Sequence, residues 1–212
     1  MSALVKFKET TGAEALIKLA EWRGKIAVSK TRVPKAYRNV GLDKMLRSRR
    51  TKEEATLLHA AKHSGVHVPE IYFVDPGSSE ILMEYVGGIL LKDIQSAKLE
   101  SLVYSSVGES AARLHASGII HGDLTPKNII RVDDKTLIID FGLSFVSSRL
   151  EDRAEDLHLL KQSIRSSETR SAGRRFRDVL QGYESVSGKR ELVRITRQIA
   201  EIERRGRYAR VD

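Results

Sequence analysis

The sequence predicts an α+β chain of two lobes, a small antiparallel-sheet lobe followed by a mostly helical one. Three observations point there. Before residue 87, outside a helical stretch at residues 42–63, the apolar residues fall in short runs broken by turn sequences, as antiparallel strands require. At Gly87-Gly88 the last of these runs stops, and beyond it apolar residues recur at every third or fourth position over long stretches. At 212 residues the chain has room for one good-sized domain or for two small lobes sharing a cleft, so the fold is of minimal size for two lobes.

Residues 3–33 read as a meander, with a turn at Arg23-Gly24-Lys25 and then "IAVSKTRV", with alternating Ile26 and Val28 and apolar Val33. Residues 42–63 turn helical, with Leu42, Met45 and Leu46 and then Ala55, Leu57, Leu58 and Ala61 at three-to-four spacing. Within them Thr51-Lys52-Glu53-Glu54 fits a capping box, which allows two helices meeting at Thr51. "VPEIYFVDPGSSEILMEYVGG" gives two strands around Asp75-Pro76-Gly77-Ser78. Residues 99–117 form an amphipathic helix carrying Leu102, Val103, Val107, Ala111 and Leu114, stopped by Gly118. Then come a loop, the strand "NIIRV", the turn "DDK" and the strand "TLIID". From about residue 154 the chain is helical, with a Ser/Arg-rich break at "RSSETRSAGRR" and a last helix over residues 189–203. The expected division is residues 1–87, 88–203 and a basic tail, 204–212, that lacks apolar periodicity and is ordered only by a partner.

Composition narrows the functional classes. No apolar run approaches the roughly 18 residues of a membrane span, and "MSALVKFKETTG" lacks the apolar core of a signal peptide. With no cysteine there is neither a disulfide framework nor a thiolate metal site, so a reducing, cytoplasmic compartment is expected. The net charge of +9 is segregated: residues 30–52 hold nine basic groups and one acid, residues 165–212 hold thirteen and seven, and residues 53–164 hold ten against seventeen acids. Each basic zone alone reads as a solvated helix face. Two of them flanking an acidic centre favour a polyanionic partner, nucleic acid first.

The acidic centre contains "IIHGDLTPKNIIRVDDKTLIIDFG", residues 119–142. Two acids carried on loops at strand ends, with an asparagine five positions after the first, suit phosphoryl transfer from a magnesium nucleotide. Asp123 would accept the proton of an incoming hydroxyl or orient a water, and Asn128 and Asp140 would hold the magnesium. Hard oxygen ligands are what that ion needs.

In this segment the chain resembles the protein-kinase superfamily: "HGDLTPKN" stands where that family has H-R-D-L-x-x-x-N, and "DFG" follows at Asp140, Phe141 and Gly142. The resemblance implies a protein-kinase-like two-lobed fold, with ATP and Mg as cofactors. It makes Lys30, at the end of "KIAVSK", the strand lysine that bridges the phosphates, and leaves Lys25, Arg32 and Lys35 as surface charges. Its acidic partner would be Glu54, which shares a helix face with Leu57, Leu58 and Ala61, although Glu54 also occupies the capping-box position. The adenine-binding hinge matches "LMEYVGG", with Glu84 and Val86 contributing backbone groups. The glycine-rich phosphate loop is reduced to Gly12 in "TTGAEA". Gly122 replaces the arginine that in many kinases pairs with a phosphorylated loop, and no A-P-E follows Gly142, so that mode of switching and the usual peptide platform are expected to be missing. Asp156 reads either as the buried acid that holds the catalytic-loop backbone or as a surface residue.

Small size, the "HGDLTPKN" loop, the missing A-P-E and the phrases "KTRVPKAYR", "LDKMLRSRRTKEEATLL" and "RAEDLHLL" together resemble one group, the PRPK-type small atypical kinase of the KEOPS complex, related to the RIO kinases. That resemblance implies an atypical serine/threonine kinase acting mainly as an ATPase subunit in tRNA threonylcarbamoyladenosine modification. The implied partners are KEOPS subunits, chiefly the threonylcarbamoyl transferase subunit, and tRNA through the basic surface and tail; no membrane is involved. Two alternatives stay open: a small-molecule phosphotransferase of aminoglycoside-kinase type, and a non-catalytic RNA-binding scaffold with a kinase-like fold.

Overall fold

The structure, a computed structural model, describes residues 10–11, 15–167 and 171–208. It has two compact units. One takes in the described residues up to His59 together with Pro69–Val86; the other takes in Ala60–Val68 and the described residues from Gly87 onward.

The first unit is built on a five-stranded antiparallel sheet. Its strands are β1 (Thr10–Thr11), β2 (Ala15–Trp22), β3 (Lys25–Arg32), β4 (Ile71–Asp75) and β5 (Glu80–Glu84), in the order β1-β2-β3-β5-β4. Arg23 and Gly24 join β2 to β3 with φ values of 51° and 77°. Two positive φ angles give the turn the twist that matches the flanking strands, and the glycine lowers its cost. The register pairs Lys30 with Ile17 on one side and Ile81 on the other. Lys30 and Arg32, two residues apart, therefore share one face of a central strand.

Helix α1 (Val40–His63) is a single helix of 24 residues, not two. Asn39 caps it, its Oδ1 accepting from the amides of Gly41 at 3.0 Å and Leu42 at 3.3 Å. Thr51 starts nothing: it is buried, and its hydroxyl donates back to the Arg47 carbonyl at 2.8 Å. A threonine in that bond fits inside a helix, and after Gly41 in the first turn no glycine or proline interrupts the run. Leu57, Leu58, Ile81, Leu82 and Met83 make up much of this unit's buried apolar core, and Ile26, an expected strand residue, is 61% exposed.

The second unit contains β6 (Ile89–Leu90), α2 (Ala97–Ala116), β7 (Ile119–Ile120), β8 (Ile129–Val132), β9 (Lys135–Ile138), β10 (Phe145–Val146), α3 (Leu150–Ser167), α4 (Ala172–Ser187) and α5 (Lys189–Tyr208). Strands β6, β8 and β9 form one antiparallel sheet in that order, and β7 pairs with β10. Ser96 caps α2 by accepting from the Leu99 amide, and Gly118 at φ 73° leads out of it. The core is Val103, Tyr104, Val107 and Leu114 of α2 with Leu157, Leu160, Val179, Tyr183 and Ile195 of α3, α4 and α5, all at 2% exposure or less. Helices α2 and α4 touch backbone to backbone at two glycines. A Cβ on Gly108 would lie 1.9 Å from the Val179 carbonyl oxygen, and one on Gly182 would lie 1.8 Å from that of Ser105.

The last helix runs past residue 203, where the sequence suggested it would end, to Tyr208. Its C-terminal turns are held to α3 by Lys161 with Glu203 and by Arg205 with Glu151, at 2.7 and 2.6 Å. The start of the expected partner-ordered tail is thus helical, and residues 209–212 lie outside the described residues.

Candidate active site

In the first unit Glu54 receives two cations. Lys30 Nζ lies 2.6 Å from its Oε1, and Arg32 Nη2 lies 2.5 Å from its Oε2. All three residues are buried, at 8%, 5% and 2% exposure for Lys30, Arg32 and Glu54. A lone carboxylate at that depth is costly, and each guanidinium or ammonium bond offsets part of the cost. The side chain that could have completed a capping box points into this cluster instead. Arg32, read from sequence as a surface charge, is part of it. The signal was available: positions 30 and 32 fall on one strand face.

Glu84 ends β5, with its amide donating to the Glu70 carbonyl at 2.8 Å and its carboxylate accepting from the Glu70 amide at 3.1 Å. Val86 follows, half-buried, where the chain leaves the sheet. Gly12 lies outside the described residues.

In the second unit the loop after β7 gathers the other expected residues. Asn128 Nδ2 donates to the carbonyl of Asp123 at 2.9 Å and to its Oδ2 at 2.8 Å. This leaves the Asn128 Oδ1 as the atom available to a cation. Asp140 sits at φ 64°, a left-handed conformation that aspartate tolerates better than most residues, and its Oδ1 accepts from the Gly142 amide at 3.2 Å. Asp140 is exposed. Among the described residues no three His, Cys, Asp or Glu side chains gather as a preformed metal cage. One carboxylate and one amide oxygen suit magnesium, which keeps waters and takes its remaining ligands from substrate phosphates.

His121 and Asp156 fix the loop. The Asp123 amide donates to His121 Nδ1 at 3.2 Å, so the ring carries its proton on Nε2 and donates to the Ile139 carbonyl at 3.1 Å. The same ring meets Phe141 edge-on at 4.8 Å. Asp156 is buried, with one oxygen accepting the His121 amide at 3.0 Å and the other the Gly122 amide at 2.9 Å. His115 Nε2 lies 3.2 Å from it, and His115 Nδ1 lies 3.1 Å from the Tyr183 hydroxyl. Of the two readings of Asp156, the buried one is observed. His115 and Tyr183 escaped sequence reasoning, because only tertiary packing brings α2, α3 and α4 to one point.

Burial pushes the Asp156 carboxyl up, but the hydrogen bond from His115 and the amides it receives hold it below the ordinary carboxylate range. Such a group stabilises the fold fully above its unfolded value of about 3.9, and the contribution is lost as pH falls through the lower folded value. Asp156→Asn is therefore expected to cost roughly 3 kcal/mol near neutrality. Its deficit against wild type should shrink below about pH 4. Denaturant titrations from pH 3 to pH 7 measure this; a deficit that stayed constant to pH 3 would contradict it.

Gly122 stands at φ 77°, and a Cβ there would lie 2.4 Å from the Leu143 carbonyl oxygen. The segment after Asp140 is seated on the loop at that point, with Ser144 Oγ donating to the His121 carbonyl at 2.8 Å and β10 paired to β7.

The sequence matches the RIO domain family over residues 23–165. It is 40% identical to a KEOPS complex subunit Bud32 of Pyrococcus abyssi, covering 93% of this chain and 94% of that protein. It is 39% identical to a probable serine/threonine-protein kinase BUD32 homolog of Archaeoglobus fulgidus, with the same coverage. A probable bifunctional tRNA threonylcarbamoyladenosine biosynthesis protein of Methanothermobacter thermautotrophicus is 43% identical over 93% of this chain, which spans only 36% of that protein's length. Among solved structures, the Rio2 kinase of Chaetomium thermophilum in its ADP/Mg2+-phosphoaspartate complex has the same fold, with a TM-score of 0.64 at 18% identity over 96% of this chain and 71% of that one.

Proposed function

Because the chain belongs to the RIO domain family, we propose that it is a magnesium-ATP-dependent atypical serine/threonine kinase that acts mainly as the ATPase subunit of a KEOPS complex in threonylcarbamoyladenosine modification of tRNA. The observation that supports this best is the pairing within each unit of residues that phosphoryl transfer needs: Lys30 with Glu54, and Asp123 with Asn128 on the loop that precedes Asp140. A scaffold that had abandoned catalysis would be expected to have lost one or more of Lys30, Asp123, Asn128 and Asp140, and all four are present.

Each residue has a role in this reading. Lys30, oriented by Glu54, places its ammonium on the nucleotide phosphates. Asn128 Oδ1 and Asp140 hold magnesium, which when bound would neutralise charge on those phosphates. Asp123 accepts the proton of the attacking hydroxyl, or orients water when ATP is hydrolysed. Its own orientation comes from the Asn128 amide and from the His121 ring that receives its backbone N–H. Gly12, Glu84 and Val86 are assigned to the nucleotide by position alone.

The relatives' names support a KEOPS assembly as the partner, and the proposal extends this to its threonylcarbamoyl transferase subunit and to tRNA. Release of phosphate from ATP should be slow for the chain alone and should rise severalfold when tRNA and the transferase subunit are added together. No turnover under any of these conditions would remove the proposal.

A further inference from the structure

Tyr183 of α4 is buried at 1% exposure, and no step of the proposed reaction uses it. Its hydroxyl lies 3.1 Å from His115 Nδ1 on α2, and the same ring presents Nε2 to Asp156 Oδ2 on α3 at 3.2 Å. Burial pushes the Tyr183 hydroxyl well above its ordinary pKa, so it keeps its proton and must donate it. The Asp156 carboxylate can only accept. Between a donor and an acceptor the ring has one consistent arrangement: Nδ1 bare and accepting from Tyr183, Nε2 carrying the proton given to Asp156. Were Nδ1 protonated instead, the Tyr183 O–H would have no acceptor among the described residues.

Every bond in this chain therefore points the same way, from Tyr183 to His115 and from His115 to Asp156. Asp156 also accepts the amides of His121 and Gly122, at 3.0 and 2.9 Å, and these are the two residues immediately before Asp123. The donor end is held as firmly as the acceptor end. Gly182, the neighbour of Tyr183, meets the Ser105 carbonyl, and a Cβ on Gly108 would lie 2.8 Å from the Tyr183 backbone nitrogen. His115 follows about two turns beyond Gly108 on the same face of α2, within reach of the Tyr183 ring, whose centroid is 5.7 Å from its own. The close crossing of α2 and α4 thus aims the hydroxyl at the imidazole.

We propose that Tyr183 is a positioning residue for phosphoryl transfer: its hydroxyl sets the tautomer and orientation of His115, and through His115 and Asp156 the backbone of the loop that carries Asp123. The inference rests on the role of Asp123 in the proposed function and extends it to a helix that holds none of the motif residues. Without the hydroxyl, Nδ1 lies bare in a dry core and the Nε2–H tautomer loses the partner that selects it. The other tautomer turns a bare nitrogen toward the Asp156 carboxylate and repels it. In both cases the acceptor of the two loop amides is held less firmly. A tyrosine that only filled the core would give way to phenylalanine with no effect on turnover.

The test compares the full-length wild type, Tyr183→Phe and the double variant Tyr183→Phe with His115→Gln, each assayed for ATP turnover alone and with the assembly partners and tRNA. Tyr183→Phe should lower kcat about tenfold and leave the KM for ATP within about twofold, because the loss falls on the placement of Asp123. The glutamine amide donates to Asp156 with no tautomer to choose, so the double variant should recover most of the lost kcat. Nitrogen chemical shifts of His115 should show a bare Nδ1 and a protonated Nε2 in the wild type and mixed tautomers in Tyr183→Phe. Amide exchange at His121 and Gly122 should speed up in Tyr183→Phe and slow again in the double variant. A protonated Nδ1 in the wild type would overturn the proposal without any variant. So would a folded Tyr183→Phe with unchanged kcat and amide exchange, or a loss of kcat that the double variant does not recover, and both outcomes leave the functional reading in place. No turnover by the wild type under any of these conditions would overturn both.

Discussion

Asp123→Ala and Asp140→Asn are each expected to lower ATP turnover by about a hundredfold or more while the fold remains intact, the scale that follows when a positioned base or metal ligand is lost. The two variants fail for different reasons. Removing the Asp123 carboxylate would take away the proposed proton acceptor and one of the two atoms that fix Asn128, although the backbone carbonyl still holds the asparagine at 2.9 Å. Asparagine at position 140 keeps the left-handed backbone at φ 64° and can still accept from Gly142, so the loss reports on charge alone. Asp123 is half-buried and Asp140 exposed, and neither lies in the apolar core, so thermal midpoints should stay within a few degrees of wild type. Turnover and melting are to be measured on the same preparations. Near-normal turnover in either folded variant ends the kinase-type mechanism.

Gly182→Ala is expected to be the most damaging substitution for stability. The added methyl would sit 1.8 Å from the Ser105 carbonyl oxygen, against backbone that has no rotamer to yield. Helices α2 and α4 must separate by an ångström or more, loosening the packing of Val107, Val179 and Tyr183, all fully buried. A loss of about 4 kcal/mol follows, equivalent to roughly 8 to 16 °C in a chain of this size. Gly173 supplies the control. It lies in the same helix with nothing within 4 Å of its missing Cβ, so Gly173→Ala should leave stability unchanged or raise it by up to about 1 kcal/mol. If both glycines tolerated alanine alike, the close crossing would not be a determinant of the fold.

The parts of the molecule legible in its sequence are those governed by local periodicity and spacing. Strand β3 was visible in its alternation and so placed Lys30. The loop residues Asp123, Asn128 and Asp140 were visible because their chemistry is packed into one segment. What escaped notice depends on separations that no window spans. Arg32 reads as a surface charge because long cationic side chains usually are, yet Glu54 on α1 reaches both Arg32 and Lys30 of β3. Thr51 has the letters of a cap, but the apolar run continues through it and tertiary packing holds one helix. The strands β6, β7 and β10 have two residues each, too few to show a period. The α2–α4 crossing rests on glycines that read locally as helix-weakening residues, and their value appears only when the other backbone is alongside.

The seat of the Leu143 carbonyl against Gly122 also limits what this lineage can become. Any side chain at position 122 must displace a backbone oxygen 2.4 Å away, and the positive φ adds its own penalty. A cation installed there to receive a phosphate would have to move the Leu143 backbone first. A side chain at position 122 thus comes only with a shift of the segment after Asp140, which makes this glycine a fixed point of the loop rather than a position open to variation.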